Sequence, residues 1–400
     1  MKILLTHRYF WPDTAPYAGM LRTIGEGLVA AGHDVHVFAA KPSYRGSRSA
    51  PKEETVSGMK VRRTWVMAEN KKNILARLLN VVLFCVPLFF RILWVRPDVV
   101  TSSTFPPVVE ALATSLAARL VGARMVYHMQ DIHPEISGHI GGVMARPFLR
   151  PLFRWLDTRT CRRAAAIVVL SRDMEATIRA RPGGADMPIH VINNFAQDTF
   201  DTTGEAPPEL AKPDGTVRII FAGNMGRFQN VPLLADGVGQ VLERYPQVQL
   251  LLLGDGVALP ELKAKWEGHP QVRFHPFLPF ADAQEVIRGA DLGLVCLAAG
   301  IYQVSYPSKV LTYLALGLPM LAVVEPHCQL AAELREQGLG AVPEAATPEA
   351  IAQALDGLLS DPTRLDEARD AVHRYHEAET SIPAAQARWC ALMDQLASQG

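Results

Sequence analysis

Short apolar runs alternate with amphipathic stretches twice along this chain, and a polar interval separates the two series. Strand-like segments stand at Lys2–Thr6, Val35–Ala39, Asp98–Ser102, Arg124–His128, Ala166–Leu170 and His190–Ile192. After the first of them Leu21, Ile24, Leu28 and Ala31 recur at helical spacing, and Gly32 supplies the stop. The interval Asp198–Gly215, rich in Thr, Pro, Asp and Gly, reads as a linker. Beyond it the alternation restarts at Arg218–Ala222, Gln249–Leu253, Val272–His275, Asp291–Leu297 and Leu318–Val324. Apolar strands separated by helices imply parallel sheets wrapped on both faces, with ligand sites at the strand C-termini. The expected class is therefore α/β, with two doubly wound parallel-sheet domains at residues 1–200 and 201–381. A length of 400 residues, nearly half of them apolar, is enough for two cores. The periodicity does not fix where the terminal helix at 382–400 packs; it is expected to return to the N-terminal domain.

Charge and cysteine content narrow the class. Forty Lys and Arg balance forty Asp and Glu, which argues against a nucleic-acid partner, since such a binding face leaves a basic excess. Cys85, Cys161, Cys296, Cys328 and Cys390 are odd in number and widely spaced. They fit reduced thiols in a cytoplasmic protein better than disulfides or a zinc site. The N-terminus runs straight into a strand, so no signal peptide is expected.

In the second half, Pro307-Ser308-Lys309 opens a short apolar helix that Gly317 ends. Free N–H groups, a hydroxyl and an ammonium then share one helix N-terminus, an arrangement that favours phosphate. Upstream, Gly223-Asn224-Met225-Gly226 follows a strand. Its glycines would let a diphosphate approach the backbone, with Arg227 to offset its charge, although an ordinary βα turn uses the same residues. Gly254-Asp255-Gly256 ends the next strand in the same manner, as a ligand loop or a simple tight turn. The loop with Phe277 and Leu278, flanked by Pro276 and Pro279, would hold a flat base; the alternative is that Phe274 and Phe277 pack in the core. No GxGxxG occurs, against a dinucleotide-dependent dehydrogenase. Together these loops suggest a nucleotide-sugar enzyme.

In the first half, His128, Asp131, His133 and Glu135 collect at a strand C-terminus. Their spacing matches no common metal site. Acceptor binding or acid–base chemistry and polar loop capping are both open for them. The segment Ile74–Val95 carries no charge from Leu78 to Phe90 and is flanked or punctuated by Lys71, Lys72, Arg77, Arg91 and Arg96. Arg77, Asn80, Pro87 and Arg91 interrupt it too often for a membrane span. A buried helix would need only one apolar stripe, and this segment is apolar on nearly every side. With its cationic flanks it is expected to touch a membrane surface through Leu83, Phe84, Leu88, Phe89 and Trp94.

In this order the motifs resemble family 4 glycosyltransferases. The resemblance runs from Ile3–Pro12 and Gly32-His33-Asp34-Val35, through Gly223–Arg227, Gly254–Gly256 and Ala290-Asp291-Leu292, to Leu314–Pro319. It implies the GT-B fold: two Rossmann-like domains facing a central cleft, and sugar transfer with retention. The segment before Arg96-Pro97-Asp98-Val99-Val100 and the Gln130-Asp131 site are similar to bacterial surface-polysaccharide enzymes acting on undecaprenyl-diphosphate-linked sugars. The implied partners are a nucleoside-diphosphate sugar, most simply a UDP-sugar, a lipid-linked glycan acceptor and the inner leaflet of the cytoplasmic membrane. No cofactor or metal is implied. Donor binding falls to Gly223, Asn224, Gly226, Arg227, Gly254, Asp255, Phe277, Leu278, Ser308, Lys309 and Thr312. Asp131, with His128 or His133, would orient the acceptor hydroxyl. The family's two glutamates, eight positions apart, are replaced here by Val304 and Thr312. A UDP-sugar 2-epimerase of the same architecture, or a non-catalytic nucleotide-sugar-binding protein, are the alternatives.

Overall fold

The computed structural model describes residues 1–43, 49–67, 74–141, 143–196, 204–226 and 228–398. Lys71, Lys72 and part of the linker, residues 197–203, lie outside the described residues. The chain divides into two units, one of Met1–Gln197, Gln303–Tyr306 and Ile382–Gly400, the other of Asp198–Tyr302 and Pro307–Ser381.

Among the described residues the first unit holds eight strands: β1 (Lys2–Thr6), β2 (Asp34–Ala40), β3 (Glu53–Val56), β4 (Met59–Thr64), β5 (Val99–Ser102), β6 (Arg124–His128), β7 (Ala166–Val169) and β8 (Ile189–Val191). Their order is β3-β4-β2-β1-β5-β6-β7-β8, and all pairs are parallel except β3 with β4. That antiparallel hairpin was not read from the sequence, because its strands, β3 at the sheet edge and β4 next to it, are charged rather than apolar runs. The order reverses between β1 and β5, which makes the loops after these two strands the natural ligand position of this sheet. The terminal helix Ile382–Ser398 belongs to this unit, with Trp389, Met393 and Leu396 in one core with Ile3, Leu5 and Val37.

The second unit holds β9 (Val217–Ala222), β10 (Val248–Leu253), β11 (Val272–His275), β12 (Leu292–Cys296), β13 (Met320–Val323) and β14 (Gly340–Ala341). The order β11-β10-β9-β12-β13-β14 is parallel throughout. Its reversal lies between β9 and β12, beside the loop that begins at Gly223.

The apolar segment is one unbroken helix, Ile74–Val95, with Pro87 inside it. By length and composition it could cross a membrane, with a mean hydropathy of 2.3 over its most apolar window, so, contrary to expectation, the interruptions do not by themselves exclude a span. Spanning is nonetheless incompatible with its packing. Ala76, Asn80, Phe84, Leu88 and Ile92, four residues apart, form one buried stripe. Leu78, Val82, Val86, Phe90 and Trp94, again four apart, form an exposed stripe on the other side. Phe84 and Leu88 are 0 % exposed and Phe89 and Leu83 are partly buried, whereas Phe90 and Trp94 are 63 % and 74 % exposed. Of the five side chains expected at the lipid boundary, only Trp94 is therefore fully available. Asn80, apparently an interruption, is a tie: its amide oxygen accepts from the Met67 N–H at 2.8 Å and its Nδ2 donates to the Met67 carbonyl at 3.1 Å.

Candidate functional site

In the second unit, three loops at the C-terminal edge of the sheet converge. The Gly223 N–H donates to the Leu253 carbonyl at 2.9 Å and the Met225 N–H to the Asp255 carbonyl at 2.8 Å, so the loops after β9 and β10 run side by side beyond the strands. Gly254 has φ +140°, and a Cβ on it would stand 2.0 Å from the Gly223 carbonyl oxygen. Only glycine fits there. A Cβ on Gly223 (φ +129°) would stand 3.9 Å from Lys309 Nζ, so the missing side chain leaves open space beside the ammonium.

Lys309 lies in the first turn of the helix Ser308–Ala315. Its Nζ sits 3.5 Å from the Phe221 ring centroid and donates to the Gln229 amide oxygen. Burial lowers its pKa to about 7, so in the unliganded site the amine carries only part of its charge near neutral pH. The helix is fixed from below by Tyr313, whose hydroxyl accepts from the Ala222 N–H at 3.1 Å. A Cβ on Gly293 would collide with the Tyr313 ring at 2.6 Å.

Around this point Ser308 is exposed and Thr312, one turn on, is half-buried. Asn224 and Asp255 are exposed, and Asp255 accepts from the N–H of Gly256 in its own loop at 2.7 Å. The two loop phenylalanines part company: Phe274 packs against the core, while Phe277 is exposed and Leu278 half-buried. Gly226 is in the β9 loop, and Arg227 lies outside the described residues. Glu325, just beyond β13, was missed in the sequence; its carboxylate accepts from the Gly300 N–H at 2.7 Å. Its position after an apolar strand was the available signal.

In the first unit the residues after β6 separate into different roles. His128 is buried, its Nδ1 2.6 Å from the Tyr17 hydroxyl and its Nε2 2.8 Å from the Gln130 amide nitrogen. The amide must donate to Nε2, so Nδ1 carries the proton and donates to Tyr17. Burial pushes the imidazole pKa down to about 3. His128 is thus a neutral positioning group for Gln130, not a group that meets an acceptor, because both nitrogens are occupied. Glu135 is likewise structural: with buried Asp157 it brackets Arg181, at 2.7 Å and 2.5 Å.

Asp131 and His133 stay half-buried. Asp131 accepts from Ser305 Oγ at 2.6 Å and forms a β-bridge with that residue. The bridge belongs to Gln303–Tyr306, a stretch of the first unit in which the Val304 carbonyl also accepts from the Ile132 N–H at 2.8 Å. Val304, at one family glutamate position, is buried in the core. The His133 ring is held below its ordinary pKa by burial, and its Nδ1 has no partner. Among the described residues no three His, Cys, Asp or Glu side chains come together as a metal site.

Known proteins carry the same two halves in the same order. Residues 18–194 match the Glycosyl transferase 4-like domain and residues 216–361 the Glycosyl transferases group 1 domain. The chain is 26 % identical to WbjE of Pseudomonas aeruginosa, described as a glycosyltransferase, over 70 % of each chain. It is 23 % identical to WcaI of Escherichia coli (strain K12), described as a colanic acid biosynthesis glycosyl transferase, over 96 % of this chain and 98 % of that one. Among solved structures, sucrose-phosphate synthase from Thermosynechococcus elongatus superposes with TM-score 0.74 at 14 % identity over the whole of both chains. Anabaena HepE, in complex with UDP and glucose, gives 0.67 at 14 % identity over 99 % of this chain and 100 % of its own. The fold is the two-domain parallel-sheet GT-B architecture. The chain is a glycosyltransferase by family, a 4-like domain followed by a group 1 domain.

Proposed function

We propose that this protein transfers a sugar, with retention, from a UDP-sugar to a lipid-linked saccharide, in surface polysaccharide synthesis at the inner face of the cytoplasmic membrane. The observation that carries the donor half is the half-neutralised Lys309 ammonium at a helix N-terminus, beside two loops whose glycines leave the backbone bare. Such preorganised donors stabilise charge that develops on a departing diphosphate. Gly223, Gly226 and Gly254 give the diphosphate access, Ser308 adds a hydroxyl and Arg227 a second cation. Thr312 meets the ribose, with Asp255, Phe277 and Leu278 toward the base and Asn224 at the rim. Asp131 orients the acceptor hydroxyl, with His133 beside it. The UDP and glucose bound to Anabaena HepE support the nucleotide, and the colanic acid description of WcaI supports the pathway class. The exposed stripe of the apolar helix supports the membrane, as does a hollow where Lys41, Lys52 and Arg91 adjoin Trp65, Phe90 and Trp94.

The test is incubation of a panel of nucleotide sugars with membrane extract. Lipid-linked product with UDP release supports the transferase; free epimer, or binding without turnover, overturns it. Asp131→Asn should lower turnover by about a hundredfold or more while UDP affinity, measured by calorimetry, stays as in the parent. Equal loss of both would remove Asp131 from the acceptor side. Because Lys309, Arg227 and the helix N-terminus offset the diphosphate in this reading, EDTA should leave the rate unchanged. A complete loss restored by magnesium would contradict it.

A further inference from the structure

Arg8 follows β1 at the reversal point of the first sheet, and only 4 % of it is exposed. Its guanidinium lies over two aromatic faces, 5.3 Å from the Tyr9 centroid and 5.5 Å from that of Phe105, whose loop follows β5. The two rings stack on each other at 5.3 Å. Among the described residues, two of its nitrogens, Nε and Nη2, are buried without any hydrogen-bond partner, and no carboxylate pairs with it. Ser103, at the end of β5, also holds a buried hydroxyl without a partner.

A buried cation with unmade hydrogen bonds is costly, and aromatic faces offset only part of that cost. The particular pair left open is informative. Nε–H and Nη2–H form the side edge of the guanidinium, two parallel donors that match two oxygens of one phosphoryl or carboxylate group. The position also fits, since open parallel sheets bind ligands at the strand C-termini where their order reverses.

We propose that Arg8 is an oxyanion-binding residue whose side edge holds a phosphoryl group of the acceptor, flanked by Tyr9 and Phe105. The identity of the ligand as an acceptor rests on the transferase reading; the oxyanion site itself does not. Arg8 touches the acceptor at its phosphate, and Asp131 acts on the hydroxyl. An acceptor without phosphate is therefore a poor substrate.

The test uses inorganic pyrophosphate as probe, with Lys309→Met in every protein so that the donor-side cation is absent. In arginine-labelled protein the Arg8 Nε–H resonance should shift and gain protection from exchange as pyrophosphate is added. By calorimetry Arg8→Gln should bind pyrophosphate at least about tenfold more weakly, because two charge-assisted hydrogen bonds are lost. Arg8→Lys, which keeps charge but not the paired donors, should fall between. An unmoved Arg8 resonance, or equal affinity in a folded Arg8→Gln protein, overturns the proposal. Should Arg8→Gln fail to fold, the resonance in the unaltered Arg8 protein decides. With Lys309 restored, UDP affinity should be the same in Arg8→Gln as in the parent. A matching fall would give the fork to the donor diphosphate and overturn the acceptor assignment. Pyrophosphate binding intact in a protein without any transfer activity would count against the transferase and still support the fork.

Discussion

Lys309→Met is expected to bind UDP at least about tenfold more weakly than the parent protein, through loss of a charge-assisted contact, and yet to melt at a higher temperature near neutral pH. The two effects have one origin. Burial lowers the lysine from 10.5 to about 7, so between roughly pH 7 and 10 the unfolded chain binds more protons than the folded one. Stability of the unliganded protein therefore rises with pH across that window. The Met variant has no such dependence, and its advantage should be greatest at or below pH 7 and vanish above about pH 10. A diphosphate favours the charged amine and raises its pKa. UDP binding above pH 7 should then take up a proton, and affinity should fall as pH rises from 7 to 9. Calorimetry in two buffers of different ionisation enthalpy reads that proton directly. Binding without proton uptake, or an unchanged affinity in the variant, would take Lys309 out of the donor site.

The second large effect concerns the apolar helix, whose two stripes should respond in opposite ways. Changing Val86, Phe90 and Trp94 to Ser should release the protein from anionic liposomes, because each apolar side chain entering the lipid boundary contributes about 1.5–3 kcal/mol. The loss for three is at least about a hundredfold in partitioning. Its melting temperature should hardly move, since these side chains have no core contacts to lose. Phe84→Ala and Leu88→Ala should do the reverse, costing about 3–5 and 2–5 kcal/mol of stability. If the exposed triple variant melts far lower, or the parent never co-sediments with such liposomes, the membrane role fails.

The parallel sheets were legible because strands buried on both faces must be apolar throughout, as in Ile3–Leu5 and Leu250–Leu253. The β3–β4 hairpin was not, since Glu53, Glu54, Lys60, Arg62 and Arg63 hide its alternation, and β14 is too short to leave a pattern. The glycine loops and the Pro-Ser-Lys helix start could be read from local chain geometry alone. What they surround could not: Lys309 meets Phe221 and Gln229, eighty or more positions away in sequence, only once the chain is folded. Arg8 looks like a surface loop arginine until the fold brings Phe105 over it. Nor could composition assign the two stripes of the apolar helix, because both are hydrophobic and only the sheet beneath decides which one is dry.

The helix Ile382–Ser398 has a consequence for how the protein is made. Gln386 donates to the Thr23 carbonyl at 2.8 Å and lies where a side chain on Gly27 would stand, while Trp389 sits 4.8 Å from the His128 ring. Residues translated late thus complete a core begun by residues 363 positions earlier. At 5–20 residues per second, roughly 10–40 s separate the emergence of residue 197 from that of the helix. During that interval, while the second unit is still being made, the first shows an open apolar flank to the ribosome exit and to chaperones. The unit begun first is therefore the last to be closed, and chains released between Ser381 and Trp389 would carry every residue of the second unit but an unfinished first one.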